Sequence, residues 1–199
     1  MWSMLLCLLI HLKRSPTYRE CGLFDRFDWP KARTQGELFG LGLPIGIALF
    51  AETSMFCVIA LLIGGMGAIV VASHQVAINF SSLAFMVPFS LGLAITVRVG
   101  HNLGRNGARA ALFAAKVGTV VALGFATIAA AGMYFFAAQI PLLYTQDAQV
   151  IELAASLFVL AALYQFSDAI QVACAGALRG FQDTRIPMLL TMIAYGLIG

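Results

Sequence analysis

Residues 153–178 read LAASLFVLAALYQFSDAIQVACAGAL, an unbroken apolar run with a single charged residue, Asp168. A hydrocarbon core about 30 Å thick takes roughly 20 apolar residues to cross as an α-helix, and this run is longer. Inside lipid the backbone must satisfy its own hydrogen bonds, so a segment of this kind folds as a helix. Working outward, three more runs meet the same length: residues 38–63, 72–97 and 112–138. Of the 199 residues, 61% are hydrophobic and 11% charged, with a mean hydropathy of +0.91. Soluble domains carry roughly a quarter charged residues, so that class is excluded. The pattern predicts an all-α, polytopic transmembrane bundle: four full spans plus a partial helix at each end. Residues 1–12 and 189–199 are apolar but too short to span, and both read as helices cut short.

The charges set the expected topology. Lys13, Arg14, Arg19, Arg26, Lys31 and Arg33 lie in residues 13–37; Arg98, Arg105, Arg109 and Lys116 flank the second and third spans; Arg179 and Arg185 follow the fourth. These are all twelve basic residues, and the intervening connections, 64–71 and 139–152, have none. Under the positive-inside rule the basic loops are cytoplasmic. The net charge of +3 therefore reports topology, and no nucleic-acid partner is implied. Residues 1–12 read as the end of a truncated transmembrane helix, and 13–37, with Pro16, Gly22 and Pro30, as a cytoplasmic linker between bundles. Residues 38–199 read as a transmembrane bundle incomplete at its end. Trp29 within the linker suits a membrane interface. Cys7, Cys21, Cys57 and Cys174 have no C-x-x-C spacing, so no disulfide framework or zinc site is expected. No signal peptide is recognisable in residues 1–14.

Seven of the nine acidic residues lie in loops, leaving Glu52 and Asp168 inside apolar spans, each close to the expected midplane. A carboxylate at a helix centre costs roughly 2.5–3.5 kcal/mol on insertion scales and by default marks an ion or substrate path. No Lys or Arg is expected at that depth, so the fitting partners are a proton, Na⁺ or a cationic substrate. The structural alternative is a protonated carboxyl hydrogen-bonded to a neighbouring helix. Tyr164 and Gln171 lie four before and three after Asp168, placing a phenol, a carboxyl and an amide on one face. Gln75, Asn79 and Ser82 form a second polar stripe, a candidate pathway or an interhelical hydrogen-bonding seam, with Asn79 nearest membrane depth. Pro88 lies well inside the second span, where a kink is expected; Pro44 and Pro187 read as helix-entry residues. The glycines, Gly92 and Gly100 among them, read as close-packing positions, and His11, His74 and His101 as interfacial.

An ordered set of motifs resembles the carboxy-terminal half of the MATE (multidrug and toxin extrusion) transporters, in the bacterial NorM-type branch. These are Gly42-Leu43-Pro44-Ile45-Gly46 followed by Ala51-Glu52; His74-Gln75-Val76-Ala77-Ile78-Asn79-Phe80; Arg98-Val99-Gly100; Tyr164-Gln165-Phe166-Ser167-Asp168; and Leu178-Arg179-Gly180-Phe181-Gln182-Asp183-Thr184-Arg185. The resemblance implies the C-terminal lobe of a twelve-helix fold, with residues 13–37 joining two six-helix bundles. It also implies a multi-pass protein of the bacterial cytoplasmic (inner) membrane, an antiporter exporting amphipathic, often cationic drugs in exchange for Na⁺ or H⁺. By motif, Glu52, Tyr164 and Asp168 would form the coupling-cation site, with Glu52 and Asp168 as ligands if the ion is Na⁺. No cofactor beyond the coupling ion is implied. The expected partners are drugs, lipid and an amino-terminal bundle lying outside this sequence.

Two other classes remain open at this point. One is a non-transporting truncated product, or a half-transporter subunit needing a partner. The other is a lipid-linked oligosaccharide flippase of the wider superfamily, against which the absence of Lys and Arg at membrane depth weighs. No nucleophile, metal-ligand or phosphate-loop constellation points to an enzyme.

Overall fold

A computed structural model describes residues 2–14 and 31–195. Its contacts divide the chain into a unit of residues 1–39 and a unit of residues 40–199. Within the first lies α1 (Trp2–Arg14), and α2 (Ala32–Gly64) begins there. Residues 15–30 of the expected linker, Trp29 included, lie outside the described residues, whereas residues 32–37 are helical.

The larger unit holds the rest of α2, then α3 (Ala68–Asn106), α4 (Ala108–Phe135), a 3₁₀ turn (Pro141–Leu143), α5 (Ala148–Gly180) and a short α6 (Arg185–Ile193). The helices α2 to α5 are long and apolar enough to cross a membrane. At 39 residues, α3 is about 58 Å long and outruns the hydrocarbon core. The sequence Arg98–Asn106 stays helical because backbone hydrogen bonding does not stop where the apolar run stops. The third span ends earlier than expected, at Phe135, and Pro44 lies well inside α2, not at its entry. Helix α3 continues through Pro88, whose ring is fully buried. A single residue, Gly107, reverses the chain from α3 to α4, using a positive φ of 81° that an L side chain rarely adopts.

Helices α3 and α5 run parallel and form the closest seam. The buried stripe on α3 is Ser73, Val76, Ala77, Ser81, Pro88, Gly92, Ile95 and Val99; that on α5 includes Ala154, Phe158, Ala161, Gln165, Ala169, Ala173, Gly176 and Gly180. Both recur every three to four residues, so each keeps to one helix face. In lipid the apolar effect does not drive helices together, and association rests on packing and hydrogen bonds between small-residue faces. The seam shows both. Phe80 meets Phe158 edge to face at 5.5 Å. A Cβ at Gly176 would strike the Gly92 carbonyl, so backbone lies against backbone there. The Thr96 hydroxyl donates to the Gly176 carbonyl (2.9 Å) while lying 3.0 Å from its own Gly92 carbonyl, and Ser73 donates to Val150 (3.2 Å). Helix α4 packs antiparallel on α3, with Gly118 against Ile95.

Candidate functional site

Glu52 is carried by α2 and Asp168 by α5, both half-buried. The flanking α5 residues explain how Asp168 is aimed: Gln165 and Ala169 face the α3 seam, so Asp168 and Tyr164 turn to its edge. From there the Asp168 carboxyl lies within electrostatic reach of both the Glu52 carboxyl and the Tyr164 phenol. Carboxyls carried by two different helices and near enough to act on one another favour uptake of a proton or a cation, because both cannot carry charge there without cost.

Arg179 acts on Glu52 at longer range, with no ion pair between them among the described residues. The residue was read as a loop cation because it ends the apolar run, yet α5 includes it, and a long guanidinium side chain extends its charge well beyond its own turn. For Asp168 the acidic neighbour Glu52 is the charged group that acts on it. Tyr164 is 44% exposed and has the buried Ser81 hydroxyl of α3 as a neighbour.

The remaining polar candidates disperse. Gln75, Asn79 and Ser82 are exposed on a face of α3 away from the α5 seam, and Asn79 accepts a hydrogen bond from the Tyr144 phenol (3.1 Å). Gln171 is exposed and its amide donates to the Tyr195 phenol at 3.4 Å. Pro88 is part of the α3 seam.

Buried polar residues escaped the sequence reading, Gln165 and Ser81 of the seam among them. Gln165 is fully buried with neither amide atom paired, and Ser81 is buried with its hydroxyl beside the Tyr164 phenol. The available signal was their register with the Ala and Gly stripes, which places them inside the seam.

Four helices long and apolar enough to cross a membrane, two of them carrying a half-buried carboxyl, define a multi-pass membrane protein. Comparison with known proteins makes this specific. The MatE family pattern matches residues 44–199, and the chain belongs to that family. It is 55% identical over its full length to multidrug resistance protein PmpM of Pseudomonas aeruginosa. Identity is 48% to multidrug resistance protein NorM of Vibrio vulnificus and 43% to multidrug resistance protein MdtK of Proteus mirabilis. The chain spans 42% of the length of the first and 43% of the other two. With bacterial relatives of this kind, the protein is a multi-pass protein of the inner membrane.

Proposed function

We propose that the chain is the carboxy-terminal half of a multidrug exporter that drives drug efflux by cation exchange at Glu52, Asp168 and Tyr164. The observation that supports the reading is a pair of half-buried carboxyls, Glu52 and Asp168, on separate apolar helices and near enough to act on one another electrostatically. It is joined by the multidrug resistance names of relatives 43–55% identical to the chain.

In this reading Na⁺ or H⁺ relieves the mutual repulsion of the two carboxyls, and Tyr164 contributes a phenol oxygen beside Asp168. When the cation leaves, Glu52 retains the attraction of Arg179, whereas among the described residues the charged group acting on Asp168 is the acidic Glu52. A cationic drug or a shift of α2 against α5 then restores balance. Exchange follows if drug and cation favour opposite-facing states or compete for one site.

The test is dye efflux from proteoliposomes containing the whole transporter that includes this chain, driven in turn by a Na⁺ gradient and by a pH gradient. Efflux that disappears when one of these gradients is collapsed is expected. Efflux indifferent to both overturns cation coupling.

A further inference from the structure

Residues 53–146 contain no Asp or Glu, yet they carry Arg98, Arg105, Arg109 and Lys116, all exposed. Among the described residues the ion pair is Arg33 with Glu37, so nothing described here neutralises these four. Arg98 differs from the others in lining a groove of about 360 Å³ between α3 and α4. Leu91, Ile95, Phe113, Val117 and Val121 make its walls apolar. Asn102, at the same end as Arg98, is committed within its helix: its amide donates to the Arg98 carbonyl (2.9 Å) and its side-chain oxygen accepts from Asn106 (3.1 Å). The Arg98 guanidinium is therefore the uncommitted donor of the groove.

Between Leu91 and Asn102, α3 rises about 16 Å. The groove thus runs from the basic end of the helix into the hydrocarbon. The clustered Arg and Lys place that end on the cytoplasmic side, where the leaflet carries anionic lipid. A cation above a long apolar trough is complementary to a ligand with an anionic head and a hydrocarbon tail, and a guanidinium binds phosphate oxygens two at a time.

We propose that the α3–α4 groove is a binding site for one anionic glycerophospholipid of the cytoplasmic leaflet. Its phosphate engages Arg98, and one acyl chain lies along Ile95, Phe113 and Val117. The site is separate from the carboxyl pair, which belongs to α2 and α5, and it does not depend on the transport reading.

The experiment uses the whole transporter containing this chain, titrated in detergent with phosphatidylglycerol or phosphatidylcholine and read by native mass spectrometry. A photoactivatable phosphatidylglycerol reports the place of binding. One phosphatidylglycerol is retained in preference to phosphatidylcholine, and its cross-links fall on residues 113–121. Arg98→Gln lowers the preference about fivefold, the scale of one cation at an anionic surface, while Arg105→Gln leaves it unchanged. Val117→Trp, which fills the trough, abolishes the retained lipid, and the milder Val117→Leu weakens it if the larger ring unfolds the protein. Equal losses in Arg98→Gln and Arg105→Gln would reveal diffuse surface attraction and overturn the site. So would cross-links elsewhere, or cross-linking blocked because another segment of the transporter packs in the groove.

Discussion

Helices α2 and α5 are both 33 residues long and comparably apolar, yet ten residues of α5 are buried and only Pro44 and Ala48 of α2. The difference lies in small residues at the right period. Helix α5 presents Ala or Gly at 154, 161, 169, 173, 176 and 180 on one face, and α3 presents a matching stripe with Gly92 at its closest approach. Gly36, Gly40, Gly42 and Gly46 of α2 also recur on one side of the helix, but a Cβ on any of them would meet nothing within 4 Å. Among the described residues, α2 therefore carries Glu52 on a helix that is not locked into the small-residue seam; under the proposed cation exchange, such a helix would be the one to change its distance from Asp168.

The strongest way to break this contrast is to put bulk into each helix. At Gly176 a side chain must displace the backbone of α3, which cannot give as a flexible side chain would. Overpacking of this kind costs about 1–3 kcal/mol or more. Gly176→Leu is expected to remove most of the monodisperse protein on size exclusion, whereas Gly46→Ala leaves thermal stability within about 0.5 kcal/mol. Comparable losses at both positions would mean that α2 is as firmly packed as α5.

The second largest effect is on activity. Asp168→Asn in the whole transporter keeps the shape and hydrogen-bonding capacity of the side chain but removes the charge proposed to bind the coupling cation. Gradient-driven dye efflux, normalised to folded protein, is expected to be abolished with little loss of fold. Tyr164→Phe removes one hydroxyl and no charge, so its effect is smaller. Wild-type efflux by Asp168→Asn under both Na⁺ and pH gradients would make Asp168 a structural residue.

These two tests also separate what was legible in the sequence from what was not. The four spans were readable because a bilayer demands long apolar runs, and Glu52 and Asp168 stood out as candidates because charge in such a run is costly. The inward faces were harder to read. Lipid is as apolar as the bundle interior, so an apolar pattern does not distinguish them, and the exposed Gln75, Asn79 and Ser82 stripe drew attention while the buried Gln165 and Ser81 did not. Helix ends were misplaced because Arg98, Arg105 and Arg179 mark where lipid ends, whereas the helices stop elsewhere, α3 at Gly107. The reach of Arg179 to Glu52 depends on tertiary placement that no local pattern contains.

A third, smaller effect tests the glue of the seam. Thr96→Val keeps the branched shape and deletes the hydroxyl that bridges to Gly176. Interhelical hydrogen bonds in membranes average about 0.6 kcal/mol by double-mutant cycles, so a loss near that size is expected in reversible unfolding in detergent. A loss several times larger would shift the account of the seam from steric packing to polar bonding.

The smallest effect tests whether the outer face of α3 is as open as its inner face is sealed. Tyr144, just after the 3₁₀ turn, donates to Asn79, and both residues are exposed. Interhelical hydrogen bonds in membranes average about 0.6 kcal/mol, whereas one covered by protein leaves an unpaired group when a partner is removed. Tyr144→Phe is therefore expected to cost about 0.5 kcal/mol or less, with a coupling of the same size in a double-mutant cycle with Asn79→Ala. Measured in the whole transporter, a cost above about 2 kcal/mol would show that another part of the protein covers this face. The contrast between a sealed and an open side of α3 would then hold only for the present chain, and Asn79 would belong to a buried interface.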